Sequence, residues 1–394
     1  RLFDFVIGKD QQFSIATSLT DYNNLKVNGD EDNASFFENM RLIVDAGKEA
    51  EPFLTILRDS TQSDEHKQKA RTTFDEINKR VMARQQAIIE KDPTAVTARL
   101  LKMNKPVQIP DPPVKPNGQI DSTFQLRYYR EHYFDNFGLS DDALLRLPKV
   151  FYWEKVQDYL TRLYAQHPDT VTNAIHALVN VAKTNKDTYK YLVWNCVVNY
   201  MNPEVMGLDQ VFVALVDRYI ASGEMDYWLD KKTVQNLKDE AAKIKRAKIG
   251  SVAPNLTMQN ENLQPRSLYD LKNRYTIIFF FKPSCGHCRE ETPKLVSFFN
   301  ANKDKYDLGV FAVSTDTSMQ EMKKFITEFK TPWTTVNGPR SYLQTHFSDL
   351  YYADQTPMVY ITDEKKTIIA RKIAVSQIGD FLANHEKYGA RPQP

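Results

Sequence analysis

Residues Tyr275–Phe281 read Tyr-Thr-Ile-Ile-Phe-Phe-Phe, with no charge on either alternating face. A strand of this composition has two faces to bury, so it belongs inside a sheet covered by helices on both sides. Directly after it come Cys285-Gly286-His287-Cys288 and then a helix-like stretch to Asn300. The order strand, cysteine pair, helix puts Cys285 at a helix N-terminus. There, unpaired N–H groups and the macrodipole favour negative charge and hence a thiolate. Two cysteines three residues apart in a first helical turn are neighbours within disulfide reach.

A stabilised thiolate is both the nucleophile and the better leaving group in disulfide exchange. Cys285 is therefore expected to attack, forming a mixed disulfide that Cys288, one turn further in, resolves. A protonated His287 adds a positive influence that favours the thiolate. Glu291, three residues after Cys288 on the same face, is placed to accept the proton that Cys288 must lose. It also reads as a surface glutamate in the Arg289-Glu290-Glu291 charge cluster. Pro293 falls inside this helix and is expected to kink it.

The other readings of the pair are weaker. Three cysteines in 394 residues are too few for a disulfide-stapled scaffold. A structural zinc site needs four ligands, usually two such pairs, and there is no second pair. No metal or other cofactor is expected. A purely structural disulfide would not need the strand-to-helix placement. Cys196 lies in an apolar helix-like segment and reads as a small buried hydrophobe.

The length implies two or three domains. Residues 1–30 read as the end of a small β-rich unit, with Leu2, Phe3, Phe5, Val6 and Ile7, a turn at Gly8-Lys9-Asp10, then Phe13 and Ile15. Residues 31–250 show helical spacing, clearest over 64–91 and then at 122–136, 152–166, 169–184, 187–201, 208–221 and 231–246. Asp169 and Asp187 are candidate N-caps and Gly223 a candidate stop. Five prolines between 106 and 116 mark an extended connector. The aromatic group Tyr128, Tyr129, Tyr133, Phe134 and Phe137 is at helical spacing and reads as core, with a peptide-binding face as the alternative. Residues 251–394 return to strands at 275–282, 308–314, 358–362 and 367–373. Helices lie between and after them, one opened by a Ser318-x-x-Glu321 capping box. That is an α/β sheet with helices on both faces.

A net charge of +2 gives no reason to expect a nucleic-acid or anionic-membrane partner. No apolar run approaches the roughly 20 residues that span a bilayer, so no transmembrane segment is expected in this chain. It starts at Arg1 rather than Met, and a piece carrying any targeting signal is expected upstream.

The buried strand, Phe281-x-Pro283-x-Cys285-x-x-Cys288, Glu291 and Pro293 together resemble the TlpA-like, thioredoxin-like proteins of the Gram-negative envelope. Ser267-Leu268-x-Asp270-Leu271 is similar to the segment that precedes the family's first central strand. Thr356-Pro357 resembles its cis-proline element, which lies beside the reactive pair and meets substrate backbone. The resemblance covers about 251–390 and implies a thioredoxin-like C-terminal domain. Substrate contacts would be Gly286, Thr356 and Pro357. Residues 30–250 resemble, more weakly, a helical domain that precedes such modules. The sequence departs from the pattern at Ser284, often tryptophan in thioredoxins, and at Phe279, where thioredoxin carries a buried aspartate. Gly286-His287 is the insert of disulfide isomerases. A peroxiredoxin would carry threonine where Lys282 stands.

The resemblance implies a periplasmic or envelope thiol–disulfide oxidoreductase. Its substrates would be disulfides of exported proteins, and an upstream thiol–disulfide donor would recycle it. The reductase direction is preferred; oxidase or isomerase action is the same chemistry with another partner. The alternative from another class is a binding or scaffold protein, in which the larger helical part recognises a partner and the thioredoxin-like fold is auxiliary.

Overall fold

The computed structural model describes residues 4–8, 12–18, 25–114, 118–147, 149–353 and 355–389. It divides into two compact units, one of residues 1–164 and 177–192, the other of residues 165–176 and 193–394.

In the first unit, β1 (Ser14–Ala16) pairs antiparallel with β2 (Lys26–Asn28), Ile15 opposite Val27. Leu2, Phe3 and the Lys9-Asp10 part of the expected turn lie outside the described residues. Phe5–Ile7 is not a strand. The Asn33 side chain takes the place of a partner strand, accepting from Val6 N–H (2.8 Å) and donating to its carbonyl (2.7 Å).

Two long helices follow, α1 (Glu31–Arg58) capped by Asp30 and α2 (Asp64–Lys91) capped by Ser63. Ion pairs Glu31–Lys91, Glu38–Arg84 and Glu49–Arg80 run in opposite chain directions, so the two helices are antiparallel. Such exposed pairs add little. Burial of Phe37, Ala50, Ala70, Ile77 and Ile88 holds the pair together.

Then come α3 (Val96–Met103), α4 (Phe124–His132) and α5 (Lys149–Arg162). Tyr133 and Phe137 are buried just past α4, and Phe134 packs edge-on against both. The part of the aromatic group beyond α4 is therefore core.

The helices α6 (Pro168–Ala182) and α7 (Lys186–Met201) are next. Asn185, not Asp187, caps α7, accepting from the Asp187 N–H at 2.9 Å. Asp169 sits one residue inside α6, behind Pro168. Gly223, at φ +83°, follows α8 (Asp209–Leu215) and a π-helical turn at Val216–Ile220. The last helix before the sheet is α9 (Lys231–Arg246).

Seven strands form the sheet of the second unit: β3 (Thr257–Asn260), β4 (Pro265–Ser267), β5 (Tyr275–Phe281), β6 (Leu308–Ser314), β7 (Thr334–Ser341), β8 (Met358–Thr362) and β9 (Ile368–Arg371). Their order is β4-β3-β7-β6-β5-β8-β9. The apolar run is β5, parallel to β6 on one side and antiparallel to β8 on the other. All seven of its residues are buried.

Tyr275, Ile277, Phe279 and Phe281 share one core with Leu295 and Phe299 of α10 (Gly286–Tyr306). Met322 and Phe325 of α11 (Met319–Phe329) and Ile378 and Leu382 of α13 (Ile378–Tyr388) complete it. On the opposite face Phe280 meets Phe347 of α12 (Phe347–Leu350), Tyr351 and Tyr360. This is a thioredoxin-like mixed sheet flanked by helices.

The hairpin β3–β4 and strand β7 have no counterpart in the sequence reading. β7 is polar and contains Gly338-Pro339, which argue against a central strand, yet it lies between β6 and β3. Gly338 is required there, since a Cβ would stand 2.7 Å from the Phe347 ring and 3.0 Å from the Ser314 carbonyl. The expected capping box of α11 forms by half. Ser318 Oγ accepts from the Glu321 N–H (3.2 Å), but the Ser318 N–H goes to Asp316 and the Glu321 carboxylate to Lys324. No helix of the described residues is long and apolar enough to cross a membrane.

Candidate active site

The β5 strand ends at Phe281, and a tight turn, Cys285 N–H to the Lys282 carbonyl at 3.0 Å, brings the chain into α10. Cys285 is the N-cap, with extended backbone (φ −78°, ψ 121°). Its Sγ accepts from the Cys288 N–H at 3.3 Å, a sulfur in the place of the usual capping oxygen. Arg289 N–H bonds to the Cys285 carbonyl, and Thr292 Oγ1 to that of Cys288 at 2.7 Å, which fixes the first turn. Pro283 is buried behind it, and the helix continues through Pro293.

The two sulfurs differ in environment. Cys285 is half-buried and Cys288 fully buried, and both are free thiols. Partial burial pushes the Cys285 thiol up, but hydrogen bonds from the Cys288 thiol and N–H, the Thr356 side chain and the His287 N–H outweigh it. The net result lies below the ordinary thiol value. Burial, then the hydrogen bond with Cys285, pushes Cys288 up to about 12. One thiol is set to ionise and its neighbour to hold its proton.

Thr356–Pro357 is a cis peptide bond, and the Thr356 carbonyl accepts from the Cys285 thiol at 3.3 Å. Pro357 therefore adjoins the half-buried sulfur. Gly286 is exposed in the first turn. His287 points away, 84% exposed, with Nδ1 3.5 Å from Glu290. It reaches Cys285 through its backbone N–H rather than its ring. Glu291 is bound to Lys294 at 2.7 Å and shares a cavity of about 480 Å³ with Pro357, Met358 and Val375. Missing from the sequence reading are Asn202, Pro203 and Lys372, which line the same cavity. The only sequence signal for the first two is the Asn-Pro break after a helical run.

The AhpC/TSA family model matches residues 249–371, and a model described as a domain of unknown function, DUF5106, matches residues 60–243. A domain of a possible thiol-disulfide isomerase from Cytophaga hutchinsonii is 38% identical over 35% of this chain and 93% of that chain (TM-score 0.33). The chain belongs to the thioredoxin-like AhpC/TSA family. A second similar structure is the thioredoxin domain of a thiol-disulfide oxidoreductase from Bacteroides vulgatus. It is 29% identical, covering 34% of this chain and 96% of its own, with a TM-score of 0.31. A thioredoxin-like protein from Bacteroides caccae is 19% identical, covers 71% of this chain and all of its own, and has a TM-score of 0.56. It shares the fold over a length that takes in much of the helical part. No curated protein matches the chain. The AhpC/TSA domain is thus a thioredoxin-like module of the thiol–disulfide oxidoreductase kind, preceded by a DUF5106 domain.

Proposed function

We propose that this protein reduces disulfides of exported polypeptides in the periplasm or cell envelope, through Cys285 and Cys288. The observation that carries the reading is the unequal pair at the tip of α10. A half-buried sulfur sits below the ordinary thiol value, one turn from a buried thiol held near 12.

The chemistry runs in two exchanges. The Cys285 thiolate attacks one sulfur of the substrate disulfide; that S–S bond breaks, and the departing thiolate takes a proton. In the mixed disulfide Cys285 is no longer a thiolate, so the hydrogen bond that holds the proton on Cys288 is lost. Cys288 then gives up its proton and attacks Cys285 Sγ, which closes the intramolecular disulfide and releases the second substrate thiol. Two electrons have passed to the substrate, and an upstream dithiol donor restores the pair. Glu291 accepts the Cys288 proton, by way of water and after exchange of its Lys294 partner. Gly286, Thr356 and Pro357 meet the substrate backbone.

Cys288→Ser tests this. The variant should still attack but fail to resolve, and accumulate disulfide-bonded adducts on Cys285 when incubated with periplasmic extract or with scrambled, disulfide-bonded ribonuclease. Mass spectrometry should place the linkage at Cys285. Absence of any Cys285-linked polypeptide would contradict the proposal.

A further inference from the structure

We propose that the turn Asn202–Met206, contributed by the helical part of the chain, is a second wall of the substrate groove. It would dock an extended, apolar segment of the substrate polypeptide beside its disulfide. This deepens the thiol–disulfide reading and rests on it.

Three observations carry the inference. First, the cavity beside Pro357 adjoins a second one of about 400 Å³; the two share Pro203, Lys372 and Ile373. Each is within the roughly 300–1,000 Å³ range of ligand pockets. One end of the groove thus lies at the cis-proline whose neighbour Thr356 touches Cys285, and the other lies under Val205 and Met206.

Second, among the described residues the backbone beside the groove has no partner strand. The β8–β9 ladder ends at Tyr360 opposite Arg371, and Lys372 then turns away at φ +54°. Met358 and Val359 pair with β5 on one side and have no β9 partner on the other. Main-chain groups past the end of a ladder pair best with an extended chain; Met358 and Val359 themselves are buried, 6% and 3% exposed.

Third, the far wall leaves two apolar side chains in water, next to Glu204. Val205 is 44% exposed and Met206 40% exposed, facing a groove that also contains Ile373 and Phe381. Lys372 Nζ donates to Asn202 Oδ1 at 3.1 Å and ties this turn to the end of β9. Apolar side chains held open beside an unpaired strand edge fit apolar flanks of a substrate, and methionine adapts to several shapes.

The test uses two synthetic peptides, each carrying one cysteine as a mixed disulfide with the same small aromatic thiol. One has Leu and Val around the cysteine, the other Ser and Gly. Each rate is divided by that of the same protein with the small aromatic disulfide alone. The wild-type protein should favour the apolar peptide by about tenfold. Val205→Ser/Met206→Ser should reduce that preference to about one, and Val205→Ile/Met206→Leu should keep it. Equal rates for the two peptides in the wild type, or a preference that survives the serine variant, would overturn the docking role. A wild type reacting with neither peptide faster than free cysteine does would overturn the exchange reading itself, and this inference with it.

Discussion

Cys285→Ser should abolish disulfide reduction, with a loss on the order of 10³-fold or more in kcat/KM for a protein disulfide in the presence of a small dithiol. A serine hydroxyl at the tip of α10 gains the same N–H contacts, but its proton stays on at any working pH, so the attacking anion is missing. The buried thiol cannot substitute for it: Cys288 is enclosed and held near 12. Cys285→Ser should leave the thermal unfolding temperature close to that of the wild type, since the side chain is half-buried and serine is a good N-cap. Retention of more than about a tenth of the wild-type rate would show that another group performs the attack, and would favour a role carried by the helical part.

Much of this is legible from residues alone, for reasons that can be named. A run such as Tyr275–Phe281 has few options, because only a central strand buries both of its faces, and the strand then delivers whatever follows it to a helix N-terminus. Position along that one path fixes the surroundings of Cys285. Side-chain partners are less legible. His287 lies between the cysteines in sequence, yet its ring leaves the site, because successive side chains on a first helical turn diverge by about 100°. Glu291 stands on the expected face, but Lys294, three residues further on, takes its carboxylate.

Strand β7 is hidden by its composition. Thr335 and Asn337 are buried, and Gly338-Pro339 reads as a turn, so tertiary packing overrides a polar local signal. The wall at Asn202–Met206 is not legible at all, since it depends on which surface the helical part presents to β9.

Arg371→Met should cost about 3–5 kcal/mol of stability, the largest effect expected from a residue with no part in the chemistry. Arg371 ends β9 and is 1% exposed, with Nη2 3.2 Å from Asp209 Oδ2 in the first turn of α8. Asp209 is buried as well. The pair is close enough for charge attraction, but among the described residues Nε and Nη2 have no hydrogen-bond partner, and Nη1 reaches the Ala247 carbonyl only at 3.5 Å. The guanidinium also lies over the Tyr360 ring, 5.7 Å from its centre.

Removing the arginine takes the guanidinium away from a buried carboxylate and leaves Lys372 as the nearby positive charge, and that loss is the costly half of the change. Replacing both partners, as Arg371→Met/Asp209→Leu, should recover most of the loss, because an ion pair this poorly bonded offsets little of its own desolvation. Urea denaturation of the four proteins reads the cycle directly. A single substitution costing less than about 0.5 kcal/mol would mean that water reaches the pair.

The claim on which the account depends is that Cys285 is ionised more readily than an ordinary thiol while open to an incoming disulfide. The direct measurement is the rate of iodoacetamide alkylation at each cysteine of the reduced protein across pH, assigned by mass spectrometry. Cys285 should react first, with a midpoint below the roughly 8.5 of free cysteine, and Cys288 should stay unmodified throughout that range. A Cys285 midpoint at or above that of free cysteine, or alkylation of Cys288 in step with it, would contradict the account.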